Sequence, residues 1–458
     1  MTDGAKIKRQ FHMPPMLFVL IGFLAVMLVG AFLLALPVSN TDGKWMSFIH
    51  SIFWATNGVC GTGLVLTPTA LSLTGFGQAV LFLLIQFGGL GFMTFATFVF
   101  ILIRKRITLK DRIAISEALG QEHIKGVVRL VRNIAVMTGI IELAGAIMLL
   151  PFFVAKNGAY GVWQALFNSV SAFCNAGFDV MATVGNPYGS LSDYNGNYGI
   201  LIIIAALSIL GAFGFPVIDD VVKNRFRWRR YNIHTKTVLI MTAALMTFGT
   251  LFFLASEFRS DAFRGMNGGE KLLNSMFQSV MASSTAGFSS VDQNALSASG
   301  KIFTCVLMFI GASPCSTGGG IKTTTFAVLL LMGVSGLRGK GELIMYKRSI
   351  NMKTGLRAVA VVFIAAACIL TGVMIITATD PSVPVGNNFF EAITAFTTSG
   401  LSMGSTTVTA APTYSSAALT VLIVLMTIGR LGPLSIGMIF VKRDNSSIKY
   451  PSANIMIG

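Results

Sequence analysis

Long apolar runs separated by short polar stretches make up most of the sequence. Crossing the roughly 30 Å hydrocarbon core of a bilayer takes about 20 consecutive apolar residues in a helix, and eight runs are long enough. They cover residues 15–37, 75–103, 134–155, 198–218, 235–255, 302–334, 357–378 and 416–441. The pattern therefore predicts an all-α integral membrane protein with eight transmembrane helices.

A shorter and more polar stretch lies between the two members of each successive pair of runs. The four stretches are 45–63, 160–177, 270–287 and 386–400. Each is too short and too polar to span a bilayer, and non-helical backbone is tolerated at membrane depth only where protein buries it or water reaches it. Each stretch is therefore predicted to be re-entrant, with a short pore helix followed by an extended loop.

Each of these stretches ends on a glycine, and the four glycines recur at almost equal intervals. Gly63, Gly177, Gly287 and Gly400 are separated by 114, 110 and 113 residues, and each has a phenylalanine ten positions upstream. Regular self-similarity indicates copies of one structural unit. We predict four pseudo-symmetric helix–pore-loop–helix repeats around one central pore. They cover residues 1–114, 115–232, 233–345 and 346–441, and a cytoplasmic tail follows at 442–458.

The composition agrees with a membrane location. Apolar residues make up 53% of the chain and charged residues only 11%, against about 25% charged residues in soluble domains. The net charge of +16 comes mostly from the N-terminus, residues 104–132, 223–236 and 338–357, and the tail, which hold 26 of the 34 basic residues. The positive-inside rule places these segments and both termini in the cytoplasm. Bases spread over several loops do not indicate nucleic-acid binding.

The residues that lead to each glycine are small or polar, as a narrow pore lined by backbone requires. None is a carboxylate, so backbone carbonyl dipoles are left as the ligands for a desolvated cation. Glycine reaches positive φ at little cost, which allows its carbonyl to face the axis. Ordinary turns or close helix packing are the alternative, and four glycines in register favour the pore. The predicted potassium-binding residues are Cys60, Gly61, Thr62, Gly63, Cys174, Asn175, Ala176, Gly177, Ser284, Thr285, Ala286, Gly287, Thr397, Thr398, Ser399 and Gly400.

A run rich in glycine and proline interrupts the apolar stretch 302–334. Relative to alanine, glycine costs a helix about 1 kcal/mol and proline about 3 kcal/mol. The second helix of the third repeat is therefore predicted to break at mid-membrane. A plain kink is the alternative, and a mobile loop below the four glycine loops is favoured. The predicted gate residues in this run are Gly311, Ala312, Ser313, Pro314, Cys315, Ser316, Thr317, Gly318, Gly319 and Gly320.

Arg430 lies about halfway along the apolar stretch 416–441, where insertion scales give an arginine a cost of roughly 2.5–3.5 kcal/mol. It must therefore face water or polar partners, and a snorkelling arginine near the membrane surface is the alternative. Its candidate partners are the carbonyls and hydroxyls of residues 311–320, or Glu142 in the second repeat. The loop is favoured, so Arg430 completes the predicted gate.

Three segments resemble the Trk/Ktr/HKT superfamily of potassium transporters, and the resemblance covers nearly the whole chain. The glycine loops look like its selectivity filter, in which glycine in every loop goes with potassium preference. Sodium-selective relatives typically have Ser in the first loop, where this chain has Gly63. Residues 311–322 resemble the family's intramembrane gating loop, and residues 429–434 its last-helix arginine motif. The two extra N-terminal spans of Trk-type subunits are lacking, which favours the Ktr-type membrane subunit. Gly61 is a departure, because a bulkier residue is common there.

The resemblance implies potassium uptake across the bacterial cytoplasmic (inner) membrane. It also implies a homodimer on a cytoplasmic ring of nucleotide-binding, KtrA-type regulatory subunits. Potassium would be the substrate, nucleotides would be bound only by the partner, no covalent cofactor is expected, and sodium stays open as a coupling or activating ion. A sodium channel or transporter is the alternative within transport. An intramembrane enzyme is disfavoured, because no HExxH helix or intramembrane pair of carboxylates occurs and the histidines are scattered along the chain: His12, His50, His123 and His234.

Overall fold

The computed structural model describes residues 15–91, 127–182, 186, 190–225, 227–339, 342–404 and 414–432. The α-helices are α1 Pro15–Ala35, α2 Phe48–Cys60, α3 Thr69–Ser72, α4 Gly75–Leu90, α5 Val127–Asn157, α6 Tyr160–Phe173, α7 Tyr198–Phe213, α8 Phe215–Asn224, α9 Ile233–Glu257, α10 Gly268–Ser284, α11 Ala298–Ile310, α12 Thr323–Leu337, α13 Met352–Thr379, α14 Val385–Thr397 and α15 Ser416–Leu431. Strands β1, Leu343–Met345, and β2, Arg348–Ile350, form an antiparallel hairpin. Short 3-10 helices cover Pro37–Ser39, Ser192–Tyr194, Trp228–Arg230, Asp261–Phe263 and Gln293–Ala295.

The main helices follow one order four times: a long helix of 21 to 31 residues, followed by two shorter helices of 13 to 17 residues. The long helices are α1, α5, α9 and α13, the short helices are α2, α6, α10 and α14, and the second helices are α4, α7, α11 and α15. Within the described residues, α5, α9 and α13 are the helices long and apolar enough to cross a membrane by themselves. The largely helical architecture with several apolar helices agrees with the predicted fold class.

The four second helices have the same kind of start and the same kind of end. Each begins after a capping residue whose side chain accepts a hydrogen bond from a backbone amide of the first turn. The four capping residues are Thr74, Asn197, Ser297 and Ser415. Such caps satisfy amides that have no partner inside the helix. Each second helix ends at a glycine with φ between +69° and +86°: Gly91, Gly214, Gly311 and Gly432. A left-handed or otherwise positive φ favours glycine and stops helical geometry.

These glycines correct three of the predicted spans. The predicted continuous helix over 198–218 is wrong, because α7 ends at Phe213 and the chain continues into α8 after a bend of 97°. Gly214 carries φ +86°, and Pro216 in the first turn of α8 favours a new helix start. Helices α4 and α15 end at Leu90 and Leu431, so the predictions for 75–103 and 416–441 extend too far as uninterrupted helices. The remainders of those two stretches, from residues 92 and 433, lie outside the described residues.

The predicted span 302–334 is interrupted, with α11 ending at Ile310 and α12 beginning at Thr323. The non-helical residues 311–322 are called the intramembrane loop below. Gly311, Cys315, Gly320 and Lys322 all take positive φ within it, which a continuous helix could not accommodate.

The short helices join the four repeats into a closed ring. Each packs against the long helix of its own repeat and against the second helix of the preceding repeat. The second kind of contact pairs α6 with α4, α10 with α7, α14 with α11, and α2 with α15. The last pair returns from the first repeat to the fourth, so the helices close around an axis in chain order.

Burial follows this ring. The phenylalanines ten positions before the repeat glycines, Phe53, Phe167, Phe277 and Phe390, are at most 1% exposed. The outer helices instead expose large apolar side chains, including Phe363 at 75% and Met374 at 73% on α13. A protein with a buried, partly polar centre and an apolar outside has the surface that a bilayer requires.

Candidate functional site

Each short helix is followed by a turn of the same kind. The turn uses two residues of positive φ, one at the predicted glycine and one two positions before it. The φ angles are +61° and +87° at Gly61 and Gly63, +50° and +70° at Asn175 and Gly177, +55° and +79° at Thr285 and Gly287, and +49° and +80° at Thr398 and Gly400. Four independent stretches of sequence therefore share one backbone conformation, called the glycine loops below.

The glycine loops meet each other at the centre of the ring. A Cβ atom placed on any of the four repeat glycines would come closer than 3.0 Å to a carbonyl oxygen of the next loop, a separation that real Cβ atoms essentially never show. Gly63 lies against the carbonyl of Ala176, Gly177 against Ala286, Gly287 against Ser399, and Gly400 against Thr62. The last contact returns to the first loop. The four carbonyls thus lie on a closed circuit with no side chain between them.

All sixteen residues predicted to bind the ion lie at the ends of the short helices or in the turns that follow, and all are buried. None carries a charge at neutral pH, so the ligands that the loops can offer to a cation are carbonyl and hydroxyl oxygens. An acid lies near the outer end of the second loop, where partial burial raises the pKa of the Asp179 carboxyl. Hydrogen bonds from the backbone of Met181 and from Ser190 oppose that rise by stabilising the carboxylate.

In three of the glycine loops, a side chain of the preceding short helix holds the backbone that follows the repeat glycine. Asn57 Oδ1 accepts a hydrogen bond from Leu64 N at 3.0 Å, and Thr394 Oγ1 donates to Leu401 O at 2.8 Å. In the second repeat, Gln164 Nε2 donates to the carbonyl of Val180 at 2.9 Å. These bonds fix the backbone that presents the carbonyls before any ion arrives, which is the preorganisation that a precise binding site needs.

The intramembrane loop lies directly against the C-terminal ends of three short helices, α6, α10 and α14. Gly318 and Gly319 touch the carbonyls of Ser284 and Thr397 so closely that a Cβ on either glycine would clash with them. The backbone amide of Gly319 also donates to Thr285 Oγ1 at 2.8 Å. The succession of glycines in this loop is therefore required by its close approach to the third and fourth glycine loops.

The other edge of the intramembrane loop is bound to the second repeat. Thr317 Oγ1 donates to the carbonyl of Phe173 at 3.0 Å and accepts from Asn175 Nδ2 at 3.0 Å. Its backbone amide donates to the carbonyl of Gly211, while Phe215 N donates to Cys315 O at 3.1 Å. The break in α7 at Gly214 thus receives the intramembrane loop, which explains why a second helix break accompanies the predicted one.

Two basic side chains donate to carbonyls of the intramembrane loop. Arg430 lies in the last turn of α15, not halfway along a continuous helix as predicted, and its guanidinium donates to the carbonyls of Thr317 and Gly88. Lys322 Nζ donates to the carbonyl of Gly318 at 2.7 Å. Neither base has a carboxylate within ion-pair distance among the described residues. Arg430 therefore places a positive charge, and Lys322 an amino group, beside neutral acceptors next to the glycine loops.

Glu142, the other partner considered for Arg430, has different neighbours. Its Oε2 accepts from Gln86 Nε2 at 2.6 Å, and its Oε1 accepts from Cys174 Sγ at 3.6 Å. The carboxylate lies behind the second glycine loop and packs between the first two repeats.

The sequence analysis assigned no separate role to Lys322, or to Gly91 and Gly214, which end two of the second helices. The rule that singled out Arg430, a charge inside an apolar stretch, applies equally to Lys322. A second signal was the spacing of glycines three apart in Gly88 and Gly91, Gly211 and Gly214, and Gly429 and Gly432. In each pair the first glycine packs against a carbonyl at the end of a short helix, and the second ends the helix.

A helical, multi-pass membrane protein with uncharged loops gathered at its centre fits the class of transport proteins that pass a small ion. Comparison with known proteins agrees, because residues 23–450 match the TrkH family, described as a cation transport protein. The chain belongs to this family.

Full-length relatives support the assignment. The chain is 37% identical to the Ktr system potassium uptake protein B of Bacillus subtilis, over 99% of each chain. It is 34% identical to the potassium/sodium uptake protein NtpJ of Enterococcus hirae, over 98% of each chain. The same identity holds for the Ktr system potassium uptake protein B of Vibrio alginolyticus, over 100% of this chain and 97% of the other.

The fold also matches a solved structure. The crystal structure of the potassium transporter TrkH from Vibrio parahaemolyticus superposes with a TM-score of 0.73, at 18% identity, covering 94% of this chain and 86% of the other. At this identity the likeness concerns the fold.

The two positive-φ positions of the first loop should respond differently to a side chain. At Gly61 a Cβ would meet its nearest atom, the carbonyl oxygen of Cys174, at 3.6 Å, whereas at Gly63 it would meet the carbonyl of Ala176 at 2.5 Å. We expect Gly61→Asn to cost about 1 kcal/mol of stability or less, since asparagine tolerates left-handed φ. Gly63→Ala should cost at least about 2 kcal/mol through strain and overpacking.

Thermal unfolding of both purified variants in detergent measures the difference, with the wild-type chain as the reference. Equal losses of stability in the two variants would contradict the geometry of the first loop.

Proposed function

We propose that this chain carries potassium ions into the cell across the bacterial cytoplasmic membrane, with the four glycine loops as its selectivity filter around one central pore. The observation that carries the proposal is the closed circuit of glycine-to-carbonyl contacts between successive loops. Four equivalent backbone segments at one axis supply a set of carbonyl dipoles that can replace the hydration shell of a cation. Both termini lie in the cytoplasm on this view, following the positive-inside rule.

Potassium is preferred over sodium for two reasons. All four loops have glycine at the repeat position, and the relatives named as Ktr system proteins are potassium uptake proteins. The relative from Enterococcus hirae is named for both ions, so sodium is the second candidate, as a competing, coupling or activating ion. Transport and not catalysis is the proposed activity, and nucleotides belong to the partner and not to this chain.

The intramembrane loop is proposed as the gate, and Arg430 and Lys322 as the side chains that keep it closed. The loop abuts the inner ends of three short helices, so an ion leaving the filter inward would meet it. A guanidinium has five donors and cannot lose its charge in a protein, which suits it to neutral carbonyls such as those of Thr317 and Gly88. Its charge would also repel a passing cation, so hydrogen bonding and electrostatics favour the same closed state.

Single substitutions of the repeat glycines test the filter. Replacing Gly63, Gly177, Gly287 or Gly400 with Ser should lower potassium affinity by about tenfold or more, which corresponds to roughly 1.4 kcal/mol, and should reduce potassium-over-sodium preference. Gly177→Ser should be mildest, because its nearest contact for a Cβ is the longest of the four at 2.9 Å. Potassium and sodium flux in reconstituted vesicles gives both quantities.

Gly333→Ser is the matched control, since a Cβ on this glycine of α12 would meet nothing within 4 Å. Wild-type affinity and selectivity in all four loop variants would rule out the filter.

The gate is tested by removing its parts separately and together. Shortening residues 311–320 or changing Arg430→Ala should raise flux per folded protein several-fold, because each removes part of one barrier. The combined variant should gain less than the product of the separate gains, since the two changes act on the same contact. Arg430→Lys is the control that keeps the charge but cannot donate to both carbonyls as a planar fork does.

Flux is normalised to folded protein from size-exclusion chromatography. Wild-type flux from a well-folded shortened loop would show that the barrier lies elsewhere in the chain.

We further propose that the chain works as a homodimer on a cytoplasmic ring of nucleotide-binding, KtrA-type regulatory subunits. Two relatives are named as protein B of a Ktr system. The letter indicates that such a system has further proteins, which supports a partner subunit here. The β1–β2 hairpin lies in the basic segment 338–357 and exposes Ile344 and Tyr346 by 51% and 46%. Exposed apolar side chains beside basic ones suit a protein-binding surface.

Deleting residues 442–458 should weaken co-purification of the ring subunit, and so should the double change Ile344→Ser and Tyr346→Ser. We expect each to reduce affinity about tenfold while the membrane part stays folded, because each removes a basic or apolar cytoplasmic contact. A pull-down at graded ring concentration measures this, with melting temperature as the control for folding. Full affinity in both variants would show that neither segment contributes to docking.

A further inference from the structure

A large apolar cavity lies between the third and fourth repeats. It has a volume of about 880 Å³ and is bounded by α11, α12, α13 and α14. Ligand pockets in proteins occupy roughly 300–1,000 Å³. The cavity is partly open, and Val306 and Leu370 of its lining are 47% and 55% exposed, so an apolar molecule can enter it from outside the protein.

The cavity follows one helix through about half of a membrane. Its lining includes Lys301 in the first turn of α11 and Ile310 at the last residue of the same helix. Nine residues of α-helix rise about 13.5 Å, close to half of the roughly 30 Å hydrocarbon core. The length therefore matches one leaflet, from the headgroup region to the bilayer centre.

The outer end of the cavity carries a positive charge. Lys301 is half-buried at its rim, and no carboxylate lies within ion-pair distance of it among the described residues. Nearly all other lining side chains are hydrocarbon, such as Val306, Phe309 and Ile369. A cation at one end of a hydrocarbon-lined space of leaflet length fits a phosphate ester with an attached acyl chain.

We propose that a membrane phospholipid binds in this cavity, with its phosphate at Lys301 and an acyl chain along α11. The inner end of the chain would touch Ile310, directly before the intramembrane loop, and Ile321, near the end of that loop, which both line the cavity. Backbone hydrogen bonds from Ile321 N to Phe309 O and from Lys322 N to Ile310 O join these two segments. The lipid site therefore adjoins the place where the loop leaves and re-enters helical structure. It does not depend on which ion the protein carries.

Two neighbouring alanines of α13 provide a matched test. Ala366 lines the cavity, whereas Ala367 does not and is exposed. Ala366→Phe should fill the cavity and weaken binding of phosphatidylglycerol to the full-length protein at least tenfold, while Ala367→Phe should leave binding unchanged. Native mass spectrometry of the detergent-purified protein, titrated with phosphatidylglycerol, measures bound lipid per chain. Val306→Phe, from the opposite wall, replaces Ala366→Phe if that variant does not fold.

Lys301→Gln tests recognition of the phosphate. It should weaken phosphatidylglycerol about tenfold and leave unchanged the binding of a diacylglycerol with the same chains. Equal binding by the Ala366→Phe and Ala367→Phe variants would overturn the site, and equal weakening of both lipids by Lys301→Gln would overturn the phosphate contact. If Ala366→Phe instead alters the number of chains per particle at unchanged lipid content, a second copy of the chain covers the cavity and the proposal fails.

Discussion

The contact of each repeat glycine with a carbonyl of the next loop is the constraint on which the rest of the structure depends. Neighbouring loops approach so closely that Cβ atoms are excluded at Gly63, Gly177, Gly287 and Gly400. All four residues also need positive φ, and only glycine meets both demands without strain. Because the circuit closes on itself, a side chain at one position would displace two loops. This is why the period of the sequence is set by glycine and not by any chemically reactive residue.

The same constraint accounts for the composition of the short helices. Their ends must deliver backbone to the axis, so they cannot face lipid, and Phe53, Phe167, Phe277 and Phe390 are buried behind them. The outer helices take over contact with the bilayer. Amphipathic short helices inside a ring of apolar ones follow from placing polar backbone at membrane depth, which is tolerated only when protein surrounds it.

The parts of the fold that sequence could predict are those in which four copies repeat or in which many helix-breaking residues cluster. The loop at 311–320 is of the second kind. The break at Gly214 was missed because a single glycine in an apolar run barely changes average hydropathy, although Pro216 follows it closely. Arg430 was assigned to the middle of a helix for the same reason, since the end of α15 is marked only by Gly432. Hydropathy measures the energy of insertion, and it cannot see where neighbouring backbones approach each other.

Contacts to the intramembrane loop come from distant parts of the chain, and the contact of Arg430 is the one that the sequence analysis paired with the loop. Thr317 joins the second repeat to the loop through Asn175, and Thr285 joins the third through Gly319. In the fourth repeat, Thr398 Oγ1 lies beside Gly319. Asn175, Thr285 and Thr398 occupy equivalent positions, each two residues before the glycine of its repeat.

The first repeat is the exception, because Gly61 has no side chain to offer at this position. Arg430 makes the connection instead, because its guanidinium donates both to the carbonyl of Gly88 in the first repeat and to the carbonyl of Thr317 in the intramembrane loop. The four glycine loops are thus nearly equivalent, while the structure beneath them is not. One loop from the third repeat is held by side chains on three sides, and a charged side chain from the fourth repeat bridges it to the first. A substitution at Gly61 would therefore bear on the contacts of the intramembrane loop more than on the backbone of the glycine loops.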